Sequence, residues 1–301
     1  MAEKETFSVA WWNTSLAPKA QSRSSIEQKN LACNVIDQLI QMGKDFIALC
    51  EVSDDDIAYI RSHCQLDGYD LESTVTGIGR TWFDTCFIYN TKKIAIDSTT
   101  PLYDSTGPNT LKYAQRIEAV IGKAKTPFHL FLSHWPSRLW CPDNDPIRTT
   151  LGGRLRDAVN ASAEALVKTH PQSSPHIILL GDYNDDPFSE SLSRHLRATR
   201  DRHLATQKDY LMYNPFWRSM TAVGADRDYF CGSYFYKKGE ITKWHTFDQI
   251  IFSNAFLKAK MWRLIEPHDN ILCDGSLLQL VKDRNQIFDH LPVMAEMEKV
   301  S

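Results

Sequence analysis

Six apolar runs in this chain each stop at a polar side chain of a kind that moves protons or binds cations. They are Trp12-Asn13, Leu49-Cys50-Glu51, Leu132-Ser133-His134, Gly181-Asp182-Tyr183-Asn184, Phe247-Asp248-Gln249 and Phe288-Asp289-His290. Each alone has an ordinary explanation: Asn13 suits a turn, Glu51 suits the approach to a helix cap, and a lone histidine is usually structural. Together they are harder to dismiss, because polar groups at the edge of a core are costly unless paired or liganded. The inventory suits attack of water on a phosphate ester. A hard divalent cation such as Mg²⁺ or Mn²⁺ takes one or two carboxylates plus waters, and Glu51 is the natural anchor, with Asn13 and Asp289 nearby. The carboxylate of Asp182 and the amide of Asn184 can activate and orient a water. His134 and His290, each needing an acidic partner to fix its tautomer, suit a phosphate transition state and a departing alkoxide. The sequence contains no GxxxxGK[ST] loop, HExxH or CxxC pair, which excludes a P-loop and the usual zinc patterns.

These side chains need strands to deliver them. Phe7 to Asn13 reads as a first strand, and Ser24-x-x-Glu27 as a capping box opening a helix with Ala32, Val35, Ile36, Leu39 and Ile40 on its apolar face. Phe46–Cys50 is a buried strand, followed by a helix from Asp54 to about Cys64 whose three leading aspartates suit the helix dipole better than a metal. Strands are expected near 69–75, 84–90, 116–122 and 127–133. A second long helix carries Leu151, Leu155, Ala158, Val159, Ser162 and Leu166 at helical period. Strand 176–180 leads into Gly181, read as permitting a sharp turn before Asp182. Strands at Phe247–Phe252, 259–265 and Leu291–Met297 follow a polar, irregular stretch. Strands dominate, with the two main helices at similar places in each half, which implies two packed sheets with helices outside.

The bulk numbers set limits. The 301 residues carry 43% hydrophobic and 24% charged side chains, ordinary for a folded enzyme, and a net charge of −3 that argues against an overall basic coat. Seven cysteines, an odd number, two of them inside apolar strands, imply a reducing compartment. The polar residues 1–6 show no signal peptide and no run reaches membrane-spanning length, so a cytoplasmic location and no membrane partner are expected.

The series Asn13, Glu51, His134, Asp182/Asn184, Asp248, Asp289/His290 resembles the endonuclease/exonuclease/phosphatase superfamily in order and over nearly the whole chain. The resemblance implies a four-layer α/β/β/α sandwich of two mainly antiparallel sheets flanked by helices, spanning 1–301 as a single domain, with an insertion beside the active site around 200–245. It implies Asn13 and Glu51 as the metal-site amide and glutamate, and Asp289 as an aspartate that assists the metal. Asp182 positions the water, Asn184 orients the phosphate, and His290 contacts the scissile phosphate with Asp248 as its partner. His134 falls where DNase-like members place a second histidine. Those members support it with an acid one strand earlier, usually glutamate, and Asp84 lies in that region as a shorter departure from the pattern. His134-Trp135-Pro136-Ser137-Arg138 is similar to the run found in bacterial members, which makes Arg138 a candidate phosphate ligand, ahead of Arg154 and Arg156.

Three substrate readings remain open at this level. A metal-dependent nuclease, DNA before RNA, is supported by the two histidines and by a basic stretch of Arg194, Arg197, Arg200, Arg202 and Lys208 against the single acid Asp201, extended by Lys237 and Lys238. A phosphatase or phosphodiesterase of a small ester (inositol phosphate, nucleotide or lipid head group) suits the acidic net charge. An inactive scaffold is the third, although all the main positions are filled. Aromatic segments Tyr213–Trp217 and Gly232–Tyr236 are candidates to stack on bases or to anchor a long connection.

Overall fold

The run from Ile177 to Leu180 is apolar at every position because both of its faces are covered. Ile178 and Leu180 enter the core between two sheets, whereas Ile177 and Leu179 enter the layer under a helix, the period of two splitting one run between two cores. A computed structural model describes residues 4–16, 24–106, 109–171, 174–224, 229–266 and 270–300. One sheet has the order β16 (Trp262–Ile265), β17 (Val293–Lys299), β1 (Thr6–Asn13), β2 (Phe46–Cys50), β6 (Thr85–Asn90), β3 (Tyr69–Ser73). The other runs β11 (Ala198–Thr199), β12 (Met212–Tyr213), β15 (Asp248–Ser253), β10 (His176–Asp182), β9 (Thr126–His134), β8 (Asn109–Ile121), β7 (Ile94–Thr106). Two short ribbons pair β4 (Thr76–Ile78) with β5 (Thr81–Phe83) and β13 (Tyr234–Phe235) with β14 (Trp244–His245). The helices are α1 (Ile26–Gln41), α2 (Asp54–His63), α3 (Pro146–Thr169), α4 (Arg202–Gln207), α5 (Ala255–Lys258) and α6 (Gly275–Lys282).

The sheets meet through Phe7 and Phe128, whose rings stand edge to face at 5.5 Å. α1 buries Ala32, Val35, Ile36 and Leu39, and α3 buries Leu151, Leu155 and Val159 with Phe131, Leu179 and Ile251 of the second sheet. This is the expected α/β/β/α sandwich. In each sheet one interior pair is parallel, β1 with β2 across α1 and β9 with β10 across α3, while most other pairs are antiparallel. Two crossover units therefore send four strand ends to one rim, carrying Asn13, Glu51, His134 and Asp182. Carboxyl ends of parallel strands are where such sheets hold ligands.

Some local readings shift. The capping box of α1 is Ser25 with Gln28, one residue later than Ser24 with Glu27, since both pairs satisfy the pattern. In α2, Asp56 closes a box with Ser53 and pairs with Lys29 at 3.0 Å, so the leading aspartates serve the helix. Strand β7 has no counterpart in the sequence reading. It is an edge strand containing Pro101 and little apolar periodicity, tolerated because one side needs no ladder. Cys33, Cys50, Cys64, Cys86, Cys141 and Cys231 are free thiols, and no helix among the described residues is long and apolar enough to cross a membrane.

His176 opens β10 fully buried, stacked on Phe128 at 5.0 Å and edge-on to Phe256 at 5.2 Å. Burial pushes its imidazole down to about 4, below the roughly 6.5 of an unfolded histidine. The unfolded chain thus binds the extra proton first, so this contribution to stability is complete above about pH 6.5 and is lost as pH falls toward about 4. In His176→Phe, which keeps the stack, the loss of unfolding free energy between about pH 7 and about pH 5 is expected to be about 2 kcal/mol smaller than in the parent. Urea titrations at the two pH values measure it, and parallel losses in both proteins would contradict it.

Candidate active site

Gly181 lies in extended β10, paired with Ser133, and has an ordinary φ. The sharp turn assigned to it is not there. A Cβ at this position would meet the Ser133 carbonyl oxygen at 2.6 Å, so the glycine lets β10 and β9 approach where their last residues, Asp182 and His134, come side by side. The left-handed backbone falls instead on Glu51 (φ 55°) and Asn184 (φ 50°). Non-glycine residues seldom adopt it, and its cost is met at positions the site requires.

The cluster is a continuous chain of contacts. Asp84 accepts from His134 Nδ1 at 2.8 Å, and His134 Nε2 stands 3.7 Å from Glu51 Oε1. Asn13 Nδ2 donates to Glu51 Oε1 at 3.1 Å and to Asp182 Oδ2 at 3.0 Å. Asp182 Oδ1 accepts from the Asn184 backbone N–H at 2.9 Å, and the Asn184 side chain donates to the Trp135 carbonyl at 3.1 Å. Asp182 Oδ2 lies 3.8 Å from His290 Nε2, and His290 Nδ1 donates to Asp248 Oδ2 at 2.7 Å. Asp289 joins from the side, 3.7 Å from His290 Nε2, its Oδ1 accepting from Ser15 Oγ at 2.9 Å. With each Nδ1–H held by a carboxylate, both Nε2 atoms face the Glu51–Asn13–Asp182 centre from opposite sides.

Electrostatics follow from that crowding. Burial alone would push His290 down, but Asp248, Asp182 and Asp289 outweigh it and hold it up at about 10. Burial opposes the charge on His134 too, and Asp84 outweighs it, so His134 is raised. Asp84 is buried, yet His134 and Lys112 (Nζ to Oδ1 at 2.9 Å) hold it well below the usual carboxylate range. The Glu51 carboxyl is pushed up, chiefly by burial. Glu51, Asp182, Asp248 and Asp289 thus crowd two histidines, a donor set rich in hard oxygens and short of positive charge, which fits a divalent cation. Among the described residues, ligand-type atoms of Asp182, Asp248 and His290 lie within 4.8 Å of one another. There the histidine already bridges the carboxylates, whereas Glu51 keeps an open side, its side chain 27% exposed.

Asp84 reaches His134 directly, so the shorter acid needs no intervening water. Asp84→Asn, which cannot accept from Nδ1 as a carboxylate does, is expected to lower kcat roughly 10- to 100-fold with KM little changed, and Asp84→Glu to restore most of it. Steady-state kinetics of the two variants decide, and a KM effect alone would remove Asp84 from this role.

Other residues fall elsewhere. Arg138 donates to the Asn184 carbonyl at 3.0 Å and to Asp186 at 3.3 Å, pairs with Asp143 at 2.8 Å, and lies over the Phe247 ring at 4.5 Å. In this arrangement it braces the Asn184–Asp186 loop. Arg154 pairs with Asp104 on the surface. The basic stretch does not border the cluster: it flanks edge strand β11, with Arg194 and Arg197 before it and Arg200, Arg202 and Lys208 after it, and β11 is separated from β10 by β12 and β15. Arg194 and Arg202 pair with Glu190 and Glu266, while Arg197 and Arg200 lie over Tyr210 and Trp217. Lys237 donates to the carbonyls of Gln286 and Phe288, fastening the loop before Asp289.

Sequence reasoning missed three supports. Trp11 Nε1 donates to Asp248 Oδ1 at 3.0 Å, and Trp12 Nε1 to the His290 carbonyl at 3.1 Å. A buried indole needs an acceptor, and two tryptophans just before Asn13 were a usable signal. Tyr234 pairs with His290 in an isolated bridge, its ring 4.6 Å from the imidazole and 5.0 Å from Phe247. No spacing rule foretells that contact.

A family model for the Endonuclease/Exonuclease/phosphatase family matches residues 15–299. Against curated proteins the sequence finds no significant match. Among solved structures the fold is similar to ANGEL2, a 2′,3′-cyclic phosphatase in complex with adenosine-2′,3′-vanadate, at TM-score 0.64 and 16% identity over 98% of this chain and 96% of that one. It is also similar to the human Nocturnin catalytic domain with bound sulfate (TM-score 0.58, 13% identity, 98% and 95% covered) and to TDP2 from C. elegans (TM-score 0.58, 17% identity, 98% and 75% covered). At these identities the likeness speaks for the fold alone.

Proposed function

We propose that this chain, which belongs to the endonuclease/exonuclease/phosphatase family, is a divalent-metal-dependent hydrolase of nucleic-acid phosphodiester bonds, DNA before RNA. The observation that carries the reading is the unbroken line of contacts from Asp84 through His134, Glu51, Asn13, Asp182 and His290 to Asp248. Glu51, with Asn13 and Asp289 in reach, would hold Mg²⁺ or Mn²⁺, which supplies charge neutralisation at the phosphate when bound. Asn13 locks Glu51 and Asp182 together, so the position of the cation and that of the attacking water are set by one amide. Asp182, fixed through both oxygens, aligns the water and takes up its proton. Asn184 orients a phosphate oxygen. His290, steadied by Asp248, and His134, steadied by Asp84, donate through Nε2 to the phosphate as charge builds there, and His134 protonates the departing oxygen.

A second reading is a small phosphate ester as substrate. It is favoured by the arginine-rich stretch flanking a far edge strand, its four arginines engaged by Glu190, Glu266, Tyr210 and Trp217, and by the net charge of −3. Cleavage assays with about 5 mM Mg²⁺ or Mn²⁺ on plasmid, linear duplex, single-stranded DNA and RNA, beside a phosphate-release panel of nucleotides and inositol phosphates, separate the two. Metal-dependent cutting of polymer supports a nuclease. Phosphate release with intact polymers overturns that in favour of the small ester.

A further inference from the structure

Arg156 lies on the buried face of α3 with Gly152, Leu155 and Val159, and only 7% of it is exposed. Its Nε and Nη1 are sealed from solvent and have no hydrogen-bond partner among the described residues, which leaves Nη2 as the nitrogen in touch with the surface. α3 is pressed against the turn at Ser191–His195, where a Cβ on Gly152 would meet the Ser191 carbonyl oxygen at 2.0 Å. Arg156, one turn further along, is thereby directed toward the residues that follow that turn.

The neighbouring charge there is a second guanidinium, not an acid. Burial and then Arg197 push Arg156 down to about 10, with Asp157 opposing weakly. Asp157 is 70% exposed and faces Arg154 at 3.8 Å. Arg197 is itself exposed, held in left-handed backbone (φ 61°) with its guanidinium over Tyr210 at 5.6 Å. At neutral pH both side chains remain charged. An unpaired cation inside a protein costs several kcal/mol, and unlike lysine an arginine cannot escape the cost by losing its proton.

We propose that Arg156 and Arg197 form an oxyanion site that takes free phosphate or sulfate, apart from the catalytic cluster. Two guanidinium groups without an intervening carboxylate match a tetrahedral dianion, which accepts from several N–H groups at once. A free ion suits a recessed guanidinium better than a sugar-flanked diester, which cannot descend to it. The site stands about 15 Å along α3 from Pro146, at the helix end nearest the catalytic loop. It is therefore independent of which phosphate ester the enzyme cleaves.

The test is thermal unfolding in EDTA at constant ionic strength, titrating inorganic phosphate or sulfate against chloride, with a short single-stranded oligonucleotide as a separate arm. The parent protein is expected to gain about 5 °C at roughly 100-fold excess over Kd, the gain rising with the logarithm of phosphate concentration above Kd. Arg156→Met, which keeps the volume and removes the charge, should lose that gain. Arg197→Ser, at an exposed position, should raise the Kd fitted from the gain at least roughly tenfold (about 1.4 kcal/mol), and it decides the matter if Arg156→Met does not fold. Comparison with the variants subtracts phosphate binding at the catalytic cluster. Equal phosphate and chloride curves, an undiminished gain in the variants, or a gain with oligonucleotide and none with free phosphate would each overturn the assignment.

Discussion

His290→Ala is expected to lower kcat on the best substrate by about 10³-fold or more, and to lower the melting temperature as well, because it leaves the buried Asp248 carboxylate without its cationic partner. The rate effect follows from losing an Nε2 donor aimed at the centre of the cluster, at the magnitude usual for a preorganised donor to developing charge. The backbone contacts persist in the variant, since the carbonyl at this position still accepts from Trp12 and the strand bridge still holds Tyr234, so the protein should remain folded and the rate loss can be read. Asp248→Asn is the companion variant. It preserves shape but replaces the acceptor of His290 Nδ1, and a loss of about 10²-fold is expected because the ring is left less well oriented. Single-turnover rates beside melting curves check both. A folded His290→Ala protein retaining a tenth of the parent rate would sink the assignment.

Glu51→Gln is expected to cost a similar factor in rate, but with a different physical signature. Glu51 is a carboxyl raised by burial and crowded by Asp289, so neutralising it removes repulsion in the metal-free protein. The melting temperature in EDTA should stay level or rise. The stabilisation that Mg²⁺ or Mn²⁺ gives the parent should shrink, since binding the folded state alone stabilises in proportion to affinity. Glutamine keeps an oxygen to accept from Asn13, so the 3.1 Å contact can persist and the loss is confined to charge. Melting curves with and without metal, in parent and variant, measure this. An unchanged metal increment in Glu51→Gln would move the cation site elsewhere, with Asp182, Asp248 and His290 the next grouping to test. Stability lost at a functional carboxylate and regained on its removal is a common trade in enzymes.

Much of this arrangement could be read from the sequence because strands end where chemistry begins. The four-residue apolar run before Gly181 required a buried strand, and the two helices in equivalent places implied two packed sheets with helices outside, whereas the parallel crossovers that align Asn13, Glu51, His134 and Asp182 emerge only in the structure. What stayed hidden depends on contacts across long separations. Asp84 was legible as the partner of His134 only through the family resemblance, because β6 and β9 belong to different sheets that share a rim, which no local pattern encodes. The arginine-rich stretch looked like a backbone track because composition carries no information about which edge a strand occupies. Gly181 was assigned a turn because glycine commonly supplies one, whereas the need was for closeness to Ser133. β7 escaped because an edge strand requires neither alternation nor freedom from proline.

β1 is flanked by β2 on one side and by β17 on the other, with Thr6 opposite Glu298 and Trp11 opposite Val293. A nascent chain therefore emerges from the ribosome with the strand that bears Asn13 lacking one neighbour, and that neighbour is encoded almost 300 codons later. Until then Asp289 and His290 do not exist, and neither does half of the proton-handling machinery. A premature stop anywhere upstream of β17 leaves an inert polypeptide with a bare strand edge, which favours aggregation or degradation over stray hydrolysis.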